Sequence, residues 1–436
     1  MQHYPAAAKA IEHDRFNIRL HRRNSFAPTS PGAASFMALF NADAMLVTLT
    51  VGPWRRLLAG LLGVAFVLVL DTGRRPASPP ALRAVAAAAA APVLASAGLV
   101  LQASGAIPMP LNTPAAHASS LLSLPKDHAA ALMAFWFAGT RESAPDVQIA
   151  ASQFDRASGR WTPARFVLDR QALGADLGFA VRRLGNPVAW LDPQGRIHLF
   201  VVATGLGSWA AARIVHLRQR TGSDLSQLAF APVQVLPLGW LWNTSFLVRN
   251  APLPLADGGM VLPVYFELGI KYPLALRFDA AGQYLGATRI SARRHLLQPS
   301  LLPLGPSDWL ALMRDQRPDG RVGVARTQDG GRSWQDAPDL ALVNPGSAVA
   351  GLSLAPGQLL LVHNSLPGSR HRLDLSQSVD GEHWALAQPQ ALVEGQSGQE
   401  FSYPALTWAD DSLWVSYTDQ RRQIAWQRFA APALRP

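Results

Sequence analysis

The chain has no cysteine among its 436 residues. Disulfides, thiolate nucleophiles and cysteine-ligated zinc are therefore excluded together, while either redox compartment stays open. Charged residues are scarce as well, at 16% against about 25% in an ordinary globular protein. The eleven histidines show no HExxH pattern or other spacing suited to zinc. No glycine-rich phosphate loop opens a helix, and no G-x-S-x-G elbow is present. No cofactor and no metal are expected. Helical periodicity is missing after residue 113, where apolar residues alternate or form short continuous runs.

What is abundant early is apolar sequence with arginines beside it. Residues 1–110 hold ten Lys/Arg against four Asp/Glu, so +6 of the net +10 lies there and only +4 beyond. That placement argues against a nucleic-acid partner and fits the arginine bias that flanks membrane segments. Residues 1–44 read as a disordered basic tail, and 45–110 as a hydrophobic membrane anchor or signal region. Within it, Met45–Trp54 and Leu57–Leu70 are apolar, and a second, alanine-rich run covers Ala84–Ile107. Leu57–Leu70 alone is shorter than the about 20 residues of a spanning helix. The expectation is a helical membrane segment with the remainder outside the cytoplasm, in the periplasm or at the cell surface. A cleaved signal, or an alanine-rich linker, is the alternative.

From 113 to 430 the chain repeats one unit six times. Each unit has a short strand followed by a hairpin. The hairpins are Ala131–Gly139 with Asp146–Asp155, Ile197–Thr204 with Ala212–Arg220, and Met260–Glu267 with Pro273–Asp279. Three more follow: Trp309–Asp315 with Val322–Asp329, Gln358–Ser365 with Arg372–Asp380, and Ser412–Gln420 with Gln423–Phe429. The leading strands open on His117, Asn186, Asn243, Gln298, Asn344 and Tyr403, at intervals of 69, 57, 55, 46 and 59 residues. The reading is all-β: a six-bladed β-propeller with a fourth strand per blade in the variable stretches. Leading strands line a propeller's axis, so these six polar residues are expected as a ring at one mouth of the channel. Singly, each could instead finish a loop by bonding its backbone.

Two turns carry a further signature. Thr327-Gln-Asp329-Gly-Gly331-Arg-Ser-Trp334 reads S/T-x-D-x-G-x-x-W, and Ser378-Val-Asp380-Gly381-Glu-His-Trp384 shortens it 50 residues later, tryptophan to tryptophan. A hydroxyl and a carboxylate brace a tight hairpin, glycine supplies its conformation, and the tryptophan covers the strands. With these turns, His117-Ala-Ser-Ser-Leu, Ala131-Leu-Met-Ala-Phe, Gln298-Pro-Ser-Leu-Leu and Tyr403-Pro-Ala-Leu-Thr, residues 113–430 resemble the bacterial sialidase (neuraminidase) superfamily, in its Asp-box, BNR-repeat branch.

The resemblance implies an exo-glycosidase that removes a terminal acidic sugar from glycoconjugates. Three arginines would grip the sugar carboxylate, a glutamate-paired tyrosine would attack the anomeric carbon, and an aspartate would be acid/base. Tyr403 matches the nucleophile, Asp146 the acid/base, and Arg314 and Arg372 the second and third arginines, with Arg370 a competitor for the third. His117 stands at the first arginine and Gln298 at the glutamate. Glu267 and Glu400 are possible substitutes for that carboxylate, and Arg141, next to Glu142, for the missing arginine. Asn186, Asn243 and Asn344 complete the expected sugar-binding ring. Against this, Arg314 and Arg372 could pair with Asp315 and Asp374 on the surface, and Asp146 could cap its strand. Trp209, Trp240 and Trp242 could stack on sugars, whereas Trp136 is expected to close a blade. A non-hydrolytic carbohydrate-binding propeller of the cell envelope is the alternative function, and a scaffold propeller in an envelope assembly is a third.

Overall fold

A computed structural model describes residues 52–74, 82–85, 99–206, 208–222, 224–239 and 242–430. The chain divides into two compact units, Met1–Phe66 and Val67–Pro436. The expected tail at 1–44 and Trp240 lie outside the described residues. The run Leu57–Leu70 falls within a helix, Pro53–Arg74. Arg56 and Asp71 bound its apolar stretch. Among the described residues, no helix is long and apolar enough to cross a membrane.

Six antiparallel sheets, each of four or five strands, follow one another around an axis as the blades of a propeller. Each of the six expected hairpins is present. The innermost strands are Ala115–Ser123, Arg183–Leu191, Phe246–Val248, Leu296–Pro303, Ala350–Ala355 and Phe401–Ala409. They are short and rich in buried small and aliphatic residues, as strands covered on both faces must be. The third ends early at Val248, leaving Arg249 and Asn250 beside the axis in irregular backbone.

The ring closes through a strand that the sequence hides. Val100–Ala106 pairs antiparallel with Gln423–Ala430, from Val100 opposite Ala430 to Ala106 opposite Ala425, as the outer strand of the last blade. Leu82 and Ala84 are likewise buried, packed with Leu253, Leu255 and Trp309. The described parts of the alanine-rich run expected at the membrane therefore belong to the propeller. A ladder of backbone hydrogen bonds joins the two ends of the domain and covers the edge of Gln423–Ala430.

The braced turns form as their residues require. Gly331 N donates to Thr327 Oγ1 at 2.9 Å, and Ser333 N to Asp329 Oδ1 at 3.0 Å. Gly381 N donates to Ser378 Oγ at 2.8 Å, and Trp384 Nε1 returns to Gly381 O at 3.0 Å. Both glycines have φ of +81°. A Cβ on Gly331 would meet Trp309 at 2.9 Å, and one on Gly381 would meet Leu310 at 2.2 Å. These turns sit at outer hairpins, away from the axis. Trp136 is fully buried in a blade, as expected.

Candidate functional site

At one end of the channel, three innermost strands carry the same irregularity. Register breaks between His117 and Ser120, Leu297 and Ser300, and Ser402 and Ala405. At each break a non-glycine residue takes left-handed backbone: Ala118 at φ +57°, Gln298 at +53° and Tyr403 at +54°. Each such residue costs about 1 kcal/mol or more, and strain of this kind is kept where it aims a side chain. The bulges hold the strand openings of blades one, four and six against one another.

Tyr403 is the centre of the group. Its ring lies 4.2 Å from the His117 ring, centroid to centroid, and 5.1 Å from the Arg249 guanidinium carbon. Its hydroxyl receives Gln298 Nε2 at 3.4 Å, and the same amide reaches the Tyr265 hydroxyl at 3.2 Å. Arg314 Nη1 donates to Gln298 Oε1 at 3.3 Å. One glutamine amide thus ties two phenols to one arginine. Burial pushes the Tyr265 phenol well up, helped by the negative charge of Glu267. Burial also raises the Glu267 carboxyl, against the pull of Arg314 and Lys271.

Around this core lies a network of charges. Glu400 takes Arg370 Nη1 at 3.1 Å, Arg421 Nε at 3.0 Å and Ser402 Oγ at 2.8 Å. Arg421 also pairs with Glu142, and Arg370 Nη2 donates to Gly346 O at 2.6 Å. Burial works to raise the Glu400 carboxyl, but the hydrogen bonds from Arg421 and Ser402 and the two arginine charges outweigh it and hold the group at about 2. His117 is driven the other way from an arginine. Burial first, then the nearby Arg421 charge, lowers its pKa to about 3. It is neutral at pH 7 and cannot grip a carboxylate as a cation. A narrow cleft between His117, Arg141, Glu142 and Arg421 opens beside it.

Residues 130–415 match the BNR repeat-like domain family. The chain belongs to that family. No curated protein sequence matches it. Among solved structures, a Hadza microbial sialidase matches at TM-score 0.58 and 18% identity, covering 73% of this chain and 66% of that one. Trypanosoma rangeli sialidase matches at TM-score 0.58 and 13%, covering 77% and 58%. A protein of unknown function from Dyadobacter fermentans matches at TM-score 0.58 and 15%, covering 77% and 99%. At these identities the likeness is one of fold. The chain spans less than two thirds of the length of the two sialidases.

Within this BNR-repeat propeller, the expected residues divide. His117, Gln298, Arg314, Glu400 and Tyr403 come together, with Arg141 and Glu142 at the adjoining cleft. Asn243 and Asn344 do not join the ring. Asn243 accepts from Leu238 N and Gly239 N and donates to Leu236 O. Asn344 bonds Asp315 N and both backbone groups of Ser347. Each finishes a loop, as short amide side chains do. Asn186 ties its blade to the next through Val248 O at 2.9 Å. Arg372 is spent outside, on Asp374 and Glu394. Arg370, two residues earlier, is the one that reaches the mouth.

Asp146 caps its own turn, accepting from Thr140 N and Thr140 Oγ1, both at 2.9 Å. Burial is its largest single influence and raises it, yet the Thr140 bonds together hold the carboxyl below its ordinary range. That suits an ionised brace more than a proton donor. Three site residues escape the sequence reading. Arg421 sits in a hairpin tip with φ of +58°, a position no turn motif marks. Tyr265 reads as an ordinary strand aromatic. Arg249 is masked because its blade's strand opens three residues after Asn243 and ends just before it. Trp242 is exposed, and Trp209 packs on Gly185.

Proposed function

We propose that the protein is an exo-acting glycosidase that seats a terminal acidic sugar at the Tyr403 mouth of the propeller, outside the cytoplasm. The observation that carries this reading is the hold on Tyr403: a left-handed bulge, an amide donor on its oxygen and a guanidinium beside its ring. A phenolic oxygen that receives an N–H, on a ring packed against a buried guanidinium, is positioned to act on a bound sugar. In the reaction, that oxygen gives its proton to Glu267 and bonds the anomeric carbon, while the glycosidic C–O bond breaks and the departing oxygen takes a proton from water. Glu267 is the favoured acceptor of the Tyr403 proton, because burial makes its carboxylate more basic. Its negative charge acts on Tyr265, which shares Gln298 with Tyr403. Arg314, Arg370 and Arg421 supply the positive charge for an acidic sugar, with Arg421 in place of the arginine that the resemblance puts at His117. Trypanosoma rangeli sialidase has been solved with sialic acid, which fits a ligand of that class.

A second reading, binding without hydrolysis, is favoured by one specific feature. The group bonded to the Tyr403 hydroxyl is the Gln298 amide, which cannot take its proton. Turnover of fluorogenic sialosides and uronides by the full chain, beside Tyr403→Phe, separates the two. Release of fluorophore that the variant loses supports the glycosidase. Saturable sugar binding at the same residues with no release in either protein moves the assignment to a lectin-like propeller.

A further inference from the structure

The channel has a second end, and it is built differently. The innermost strands run from the Tyr403 mouth toward it. Their later residues enclose a cavity of about 330 Å³, walled by Leu121, Leu301, Leu352, Leu406 and Trp408. Pockets of this size, apolar with a few placed polar groups, are the usual form of a small-molecule site. Arg249, Asn250, Ser120, Ser300, Ser353 and Thr407 supply the polar groups here. Ser300 Oγ accepts Gly351 N at 2.9 Å, which leaves its own O–H to donate.

Arg249 is the unusual member. It is 1% exposed, and its bonds go to neutral carbonyls, Ser119 O at 3.1 Å and Pro404 O at 2.7 Å. Its Nε has no hydrogen-bond partner, and among the described residues no carboxylate pairs with it. Burying an ion without a counter-ion is costly, and the cost falls when an anion arrives. The Tyr403 ring covers the guanidinium, and Arg249 is also part of the cavity wall.

We propose that this far cavity binds a small amphipathic carboxylate, its anionic head toward Arg249 and its apolar body against the leucines and Trp408. The cavity lies on the later halves of the innermost strands and shares only Arg249 with the Tyr403 group, so the proposal does not depend on whether that mouth hydrolyses anything. Charge complementarity selects the head, and the walls select the body.

Isothermal titration of the full chain with octanoate and with 1-octanol at pH 7 tests this. The expected result is octanoate bound at least tenfold more tightly than the alcohol. Arg249→Met removes that preference, and Ala405→Phe, which fills the cavity while leaving Arg249 in place, abolishes binding of both. Equal affinity for acid and alcohol, no binding of either, or octanoate binding untouched by Ala405→Phe overturns the proposal. The wild-type comparison and Ala405→Phe decide it even where Arg249→Met does not fold.

Discussion

The two ends of the channel are made from the same strands and have opposite character. At the Tyr403 mouth, charges are numerous and mostly paired, and three residues hold left-handed backbone. At the far end the walls are largely aliphatic, and one buried cation, Arg249, has no carboxylate partner among the described residues. The difference follows from the parallel run of the innermost strands. Strand openings, where bulges are tolerated and loops arrive, gather at one mouth. The regular second halves, which pack blade on blade, gather at the other. Chemistry collects where the ladder is interrupted, because only there can polar side chains be aimed at the axis without breaking the blade core.

The largest expected effect comes from removing one oxygen at the crowded end. Tyr403→Phe lowers turnover on the order of 1,000-fold or more while sugar affinity changes only a few-fold, since the ring and its neighbours remain. A matched loss in affinity would make Tyr403 a binding residue instead. Glu400→Gln comes next, because it releases Arg370 and Arg421 from their shared anion. Affinity for an acidic sugar rises about tenfold if Glu400 competes for those arginines, as its four side-chain hydrogen bonds suggest. Calorimetry showing weaker binding would mean that Glu400 positions the arginines. The substitution also costs stability at neutral pH. The folded carboxyl sits at about 2 and the ordinary one at 4.5, so wild type loses this contribution as pH falls from about 4.5 through 2.

His117 gives a smaller and differently placed effect. Its folded pKa is about 3 against 6.5, so the unfolded chain binds the proton first and stability declines as pH drops below about 6.5. His117→Gln removes that slope. Melting temperatures of the two proteins between pH 7 and 5 converge on this account, and parallel curves would contradict it. The smallest effect is expected from Arg372→Ala. Its pairs with Asp374 and Glu394 lie outside the mouth, so ligand affinity stays within about twofold. A large loss of sugar affinity would return Arg372 to the site.

Much of the fold was legible because its rules are local. Alternating strands, glycine-bearing turns and the two braced hairpins each declare themselves within about ten residues. Closure was not legible, because Val100–Ala106 finds its partner more than 300 residues away and reads as part of an alanine-rich run. At the site, Tyr403, Gln298 and His117 were found from the strand openings they mark, and Arg314 from the family resemblance. Asn243 and Asn344 were misplaced for the same reason, since the third and fifth innermost strands begin later, at Phe246 and Ala350. Arg249 and Arg421 are defined by three-dimensional placement alone, one by a strand that ends early and one by a hairpin tip facing another blade.

The most direct test of the central claim is covalent trapping. The full chain is incubated with 2,3-difluorosialic acid and, separately, with a 2-deoxy-2-fluoro-uronosyl fluoride, and intact mass and peptide mapping are recorded. The account predicts a single sugar adduct on the peptide containing Tyr403, absent from Tyr403→Phe. Saturable binding of these sugars with no adduct on Tyr403 would contradict a tyrosine nucleophile and leave a propeller that binds without cutting.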